Sequence, residues 1–348
     1  MALKRIQVCI LVAVAVTGCC PLAAQHIGLT YTTELQTDFR QGTNWVNLLR
    51  TDFSQSIGGC FNIEFASIST ARTRGERLAN DWQTFSNIEE ENIPVALAVL
   101  GMDVRVGKSF FFFGIRNLNE DYFISPCTSL FTNSSCGIFP TLSANYPIAN
   151  YPVASIGADY KFESGNWALE TSLYNGTGYR KFTGKENVFR ICPQTDGILS
   201  VTTINYQNND NGYYGGIALH YGMFLGDEAG NEKQVLEAEK KKMNVVLWGY
   251  IEQNIFRGMH ALLQYSVNPT EKNGCRNYAG VGLIFHYKQT VGGFFVDYAD
   301  FTHKREWACE LTYKIPCYKN GYIQPALHLI KNNQEKAVIA LLRFGYEL

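Results

Sequence analysis

KAVIALLRFGYEL, residues 336–348, alternates with a period of two. Its even positions, Val338, Ala340, Leu342, Phe344, Tyr346 and Leu348, are apolar, and its odd positions carry Arg343, Gly345 and Glu347. Ile339 and Leu341 blur the contrast at the start of the run. One greasy face and one charged face at this period make a strand, because a helix repeats every 3.6 residues.

The same pattern recurs along the chain. Ile27, Leu29, Tyr31 and Leu35 alternate with Thr30, Glu34 and Gln36; Phe294, Val296 and Tyr298 flank Asp297; Trp307, Leu311 and Tyr313 flank Glu310 and Thr312. About sixteen strands follow, near 27–40, 45–53, 60–69, 94–106, 109–116, 153–162, 166–176, 197–207, 212–224, 244–256, 259–269, 276–287, 292–301, 305–317, 321–332 and 336–348. In 45–53, Arg50 and Asp52 leave open which face is which. Connections after even-numbered strands are short and turn-like, such as Val106-Gly107-Lys108 and Glu163-Ser164-Gly165. Several after odd-numbered strands are long: 70–93, 117–152, 177–196 and 225–243. Long loops at one end and tight turns at the other build a transmembrane antiparallel up-and-down β-barrel, with both termini on the tight-turn side. A soluble sandwich also alternates, but it does not call for charged inward positions (Glu64, Asp159, Lys161, Glu252) together with long loops at one end only. Closure leaves no edge strand unpaired in lipid.

The 348 residues carry a formal net charge of −1, which offers no footprint for nucleic acid. Residues 1–24 read as a signal peptide, with Lys4 and Arg5 ahead of the apolar Ile6–Val16 run and cleavage after Ala24; lipidation at Cys19 is the alternative. Residues 25–348 then form a single barrel domain in the outer membrane of a Gram-negative-type bacterium, with membrane lipid as its surroundings. The charged 226–244 segment reads as a solvated loop with a short helix in its middle. Cys127 and Cys136 are close enough in sequence to close a small disulfide loop in an oxidising compartment.

Enzymatic readings find little. His220, His286 and His328 fall at lumen-facing positions, where a polar lining explains them, and no phosphate-binding glycine loop or zinc spacing occurs. The reading therefore names no catalytic residue, no metal site and no cofactor. A barrel of this size leaves an aqueous channel, whose selectivity depends on what narrows it. The 117–152 segment, folded inward, is the natural constriction.

Several stretches together resemble the carbohydrate-selective porins of the OprB type: Gly114-Ile115-Arg116-Asn117-Leu118-Asn119, Asp121-Tyr122-Phe123, Phe131 to Ser135, Tyr151 to Gly157, Glu310 to Pro316 and Gln324 to Asn332. The resemblance implies a sixteen-stranded outer-membrane barrel, an inward loop, a lumen lined by charged and polar groups, and facilitated diffusion of sugars. The chain is short for that family, and its loop cysteines depart from the pattern.

On this reading Arg116, next to the constriction, is a fixed donor to solute hydroxyls. Asp103, Arg105, Asn117, Asn119, Glu120 and Asp121 are its partners, and Glu170, Glu310 and Arg343 line the pore more remotely. The solutes are carbohydrates or other small hydrophilic molecules. The alternatives are a general diffusion porin without a saccharide site, and a surface adhesion or structural barrel. Neither the sugar nor the oligomeric state is legible.

Overall fold

The computed structural model describes residues 25–40, 42–57, 59–222, 242–271 and 273–348. The expected leader over 1–24, with Cys19, lies outside these residues, as does most of the charged 226–244 segment.

Sixteen strands run in chain order: β1 Gln25–Thr37, β2 Thr43–Ile57, β3 Phe61–Arg72, β4 Ile93–Val106, β5 Ser109–Arg116, β6 Ser155–Ser164, β7 Trp167–Asn175, β8 Ile198–Asn208, β9 Asn211–Gly222, β10 Lys242–Phe256, β11 Met259–Val267, β12 Cys275–Tyr287, β13 Thr290–Phe301, β14 Lys304–Cys317, β15 Gly321–Lys331 and β16 Lys336–Glu347. Each pairs antiparallel with its neighbours, and β1 pairs with β16, so the sheet closes into a barrel. The expected all-β barrel and its strand order hold. Tight turns at one end use positive φ, which glycine adopts without a Cβ penalty, at Gly107 (61°) and Gly165 (61°). Both described termini lie at that end.

The outward face is a continuous apolar surface. Trp45, Leu49, Trp167, Leu173, Leu263, Leu311 and Leu342 are all exposed on it. A patch this extensive is stable in hydrocarbon and not in water. Arg50 and Asp52 settle the face of β2, since both line the interior.

The interior departs from expectation. Alternation and the family resemblance lead to a lumen lined by charged and polar groups. Instead, Tyr174, Tyr214, Trp248, Tyr250, Tyr278 and Phe295 point inward and are buried. They are covered by the 117–154 connection, whose Tyr122, Phe123, Phe131, Phe139 and Tyr146 pack against them. Phe139, for example, meets Tyr278 at 5.4 Å and Phe123 at 5.5 Å between ring centroids. An apolar wall is what holds a loop inside a barrel, because each aromatic buried there removes a large area from water.

Candidate functional site

A chain segment inside a barrel must find partners for its backbone polar groups. Lumen-facing acids provide them. Glu310 on β14 accepts from Thr132 N (2.9 Å), Thr132 Oγ1 (3.0 Å) and Asn133 N (3.0 Å). Glu252 on β10 accepts from Cys127 N at 2.9 Å and from the Ser125 hydroxyl. Gln264 and Gln324 donate to the carbonyls of Cys136 (2.9 Å) and Leu130 (2.6 Å). These bonds are charge-assisted or buried, and so are stronger than their surface counterparts.

The 73–92 connection also turns inward, which the sequence reading did not anticipate. Glu306 accepts from the backbone N–H groups of Trp82 (3.0 Å) and Gln83 (2.9 Å). Glu34 accepts from Ser86 Oγ at 2.7 Å, and Arg343 donates to Asn87 Oδ1 at 2.6 Å. Phe85 sits among Ile330, Ile339 and Leu341. The two inward segments are laced together by Asn87 N to the Thr132 carbonyl (2.7 Å) and Ser134 N to the Thr84 carbonyl (2.9 Å).

Two cavities that share lining residues lie inside the barrel against its first strands. A cavity of about 780 Å³ opens toward the tight-turn end, lined by Arg50, Asp52, Glu64, Arg116 and Glu120 among others. A second, of about 220 Å³, shares Glu64 and Arg116 with it and adds Arg105, Asp121, Asp159, Lys161 and Glu170. Two arginines line the larger cavity. Arg50 grips Glu120 in a fork, 2.7 Å and 2.9 Å, and reaches Asp52 at 2.9 Å. Arg116 donates to both oxygens of Asp121 at 2.9 Å and to Glu64 at 3.0 Å, with its guanidinium 3.9 Å above the Phe112 ring. Planar forks of this kind fix both partners in place.

The structure thus gathers Arg105, Arg116, Glu120, Asp121 and Glu170 around the two cavities. Asn117 and Asn119 stiffen the loop instead: Asn117 accepts from Asn119 N (3.0 Å), and Asn119 accepts from Tyr151 N (2.9 Å). Asp103 faces inward but is 1% exposed, with its carboxyl against that of Glu64. Glu310 and Arg343 border neither cavity. They are buried under the inward segments, and Arg343 clasps Glu34 at 2.7 Å. Arg50, Asp52, Glu64, Asp159 and Lys161 line these cavities without having been selected as site residues. Arg50 was readable only once the face of β2 was known.

The expected Cys127–Cys136 closure is absent: both are free, buried thiols. Each sulfur is packed in the aromatic cluster, and the backbone between them is held by Glu252 and Glu310 instead. His220 Nε2 meets the Gly176 carbonyl at 3.0 Å, and His328 Nε2 meets Thr132 Oγ1 at 2.9 Å. Both histidines serve packing around the inward loop. Among the described residues no group of three or more His, Cys, Asp or Glu side chains is placed to hold a metal ion.

No family model matches the chain, and no curated protein matches its sequence. Solved structures do. A loop L8 deletion mutant of OmpT, an outer membrane protein of Vibrio cholerae, is 9% identical, with 93% of this chain and 99% of that one covered at a TM-score of 0.61. An anion-selective porin from Comamonas acidovorans is 10% identical, with 93% and 99% covered, also at 0.61. The fold is that of the outer-membrane porins. Pseudomonas putida OprB in its low-pH structure is 13% identical, with 93% and 92% covered at a TM-score of 0.48, too loose a superposition to add to this.

Proposed function

We propose that this porin-fold barrel sits in an outer membrane and passes small hydrophilic solutes by passive diffusion, without catalysis. The observation that carries the proposal is the cavity of about 780 Å³ inside the barrel that opens toward the tight-turn end, bordered by the ion-paired Arg50, Asp52, Glu64, Arg116 and Glu120. Both signs of charge border it, so hydroxylated solutes can exchange water for carboxylate and guanidinium partners. On this orientation the long loops face the cell exterior and the tight turns face the periplasm.

Sugars are the favoured solutes, on the strength of that lining and of the OprB-type resemblance at 114–157 and 306–332. A general diffusion porin is the second reading. It is favoured by the saturation of Arg50 and Arg116 with carboxylates, which leaves fewer donors for a passing sugar. Planar-bilayer recording with a panel of mono- and oligosaccharides decides between them. The sugar reading expects stable conductance that sugars block. Absence of conductance overturns the pore itself, and conductance indifferent to every sugar overturns the saccharide preference.

A further inference from the structure

At the long-loop end of β14, β15 and β16 the outward face changes character. Leu311, Leu329 and Val338 are exposed there, and Trp307 stands beside them with its ring 4.7 Å from that of Tyr298. Outward aromatics of this kind mark the edge of a barrel's apolar band. Level with Trp307 and beyond it, the outward positions are cationic and exposed: Arg305, Lys331 and Lys336. The register fixes their placement. Lys331 pairs directly with Trp307 on one side and with Lys336 on the other, and Arg305 lies two residues before Trp307 on the same face. Arg305 N donates to Asn333 Oδ1 at 3.0 Å, which ties the start of β14 to the 332–335 turn.

Two features separate this cluster from an ordinary wetted rim. Lys331 and Lys336 are like charges directly opposed across a strand pair, an arrangement that repels. The nearby acids are engaged elsewhere: Asp300 pairs with Arg305 at 3.4 Å, and Glu335, in the turn between the lysines, accepts from Asn80 N at 2.9 Å. The cluster is also confined to these strands. At comparable outward positions the rim carries Thr37 on β1, Thr43 on β2, Ala71 on β3, Tyr221 on β9 and Met243 on β10. Lysines that merely reach for water would be spread around the whole circumference.

The charge and the floor together define the occupant. With Arg305 balanced by Asp300, two ammonium groups remain side by side, and they match a compact dianion. A phosphate monoester carries about −1.5 to −2 at neutral pH and offers three strong acceptor oxygens. A carboxylate or a phosphodiester brings only a single charge. The floor assigns that phosphate to a lipid. Trp307, Leu329 and Val338 continue from the cations into the apolar band, so a headgroup held by Lys331 and Lys336 lays its acyl chains on exposed hydrocarbon. Free phosphate makes no use of that floor. With the long loops facing outward, the lipid belongs to the outer leaflet.

We infer that Arg305, Lys331 and Lys336 form a docking site for an outer-leaflet lipid whose headgroup carries a phosphate monoester. The site lies outside the barrel, apart from the cavities within it, and stands whether or not the barrel conducts. Native mass spectrometry of the full-length barrel in a non-ionic detergent tests it, with diphosphoryl lipid A and the same lipid stripped of its phosphates as probes. The stripped lipid, and the phosphorylated lipid on the Lys331→Gln/Lys336→Gln double variant, are each expected to bind about thirtyfold more weakly, the loss of two near-surface charge contacts. Lys331→Arg/Lys336→Arg should bind as wild type does. So should Lys288→Gln/Lys319→Gln, which removes two exposed lysines from the tight-turn end. Variants are checked for the heat-modifiable gel mobility of a closed barrel, and the stripped lipid on wild type gives the answer if the first variant fails that check. Equal binding of the two lipids overturns the site, as does a Lys331→Gln/Lys336→Gln barrel that binds like wild type. An equal loss in Lys288→Gln/Lys319→Gln reduces the effect to overall charge and also overturns it. Displacement of the lipid by millimolar inorganic phosphate overturns the lipid assignment in favour of a free-anion site.

Discussion

Replacing Glu310 by alanine should release the middle of the long inward loop. Its carboxylate is the acceptor for three loop donors, Thr132 N, Thr132 Oγ1 and Asn133 N, at 2.9–3.0 Å in a site that is 1% exposed. Hydrogen bonds to a buried charge are each worth about 1.5–3 kcal/mol. Water admitted to the vacated site recovers part of that, so a net loss of about 3 kcal/mol is reasonable. A shift of that size changes the ratio of docked to undocked loop by about a hundredfold. The aromatic packing of Phe131 and Phe139 persists, so the release should be confined to the segment around Thr132 and Asn133. Two assays read it. Single-channel conductance in 1 M salt should rise, and at that ionic strength the lost charge itself is screened over about 3 Å. Limited proteolysis should cut near 128–136 in Glu310→Ala and not in wild type. Glu310→Gln, which keeps one acceptor oxygen, should lie between the two. Unchanged conductance together with unchanged proteolysis in Glu310→Ala would falsify the account of lumen acids as loop anchors.

Three further outcomes are expected. Deleting residues 127–136 should widen the pore and raise conductance, and no change would mean that this segment is not what narrows it. Arg50→Ala leaves Asp52 and Glu120 unopposed, so reversal potentials at low salt should move toward cations, and Glu120→Gln should move them toward anions; about 1 kcal/mol on a passing ion is several-fold in permeability ratio. Burial, aided by the Glu306 charge, raises the Asp81 carboxyl from 3.8 to about 7. Well below pH 3.8 the group is neutral whether the 73–92 segment is docked or free. As pH climbs to about 7 the free segment loses a proton that the docked one keeps, so docking weakens with rising pH. Proteolysis within 73–92 should therefore be faster at pH 8 than at pH 5, and Asp81→Asn should flatten that profile. A flat wild-type profile refutes this.

The barrel was legible because lipid on one side and polar groups on the other impose a strict period of two, and a slip of one residue would invert every side chain. What covers the inner face left a weaker trace. Ile339 and Leu341, which blurred the alternation of β16, are the inward apolar positions on which Phe85 of the 73–92 segment rests. The irregularity was a docking surface, and alternation alone had no means of saying so. Likewise Tyr214, Tyr250 and Tyr278 sit at lumen positions that the period marks as inward, but only the fold shows a loop lying on them. Of the site residues, Arg116 could be found because a charged residue ends an aromatic strand beside a long loop. Arg50 could not, because its strand gave no clear contrast between faces. Glu310 and Arg343 were legible as inward charges but not as buried ones, since burial here depends on segments far away in the chain.

That distance bears on the order in which the molecule can come together. Glu34 and Arg343 face each other across the seam between the first and last strands, where the register pairs them directly. The same two side chains hold Ser86 and Asn87. The 73–92 segment is made early, yet its partners Glu306, Ile339, Leu341 and Arg343 arrive with the final three strands. It has no interior to occupy until β16 meets β1, and the seam is fully satisfied only with that segment in place. Joining the ends and filling the mouth are therefore one cooperative event. A chain truncated before β16 should carry both inward segments undocked and open to protease.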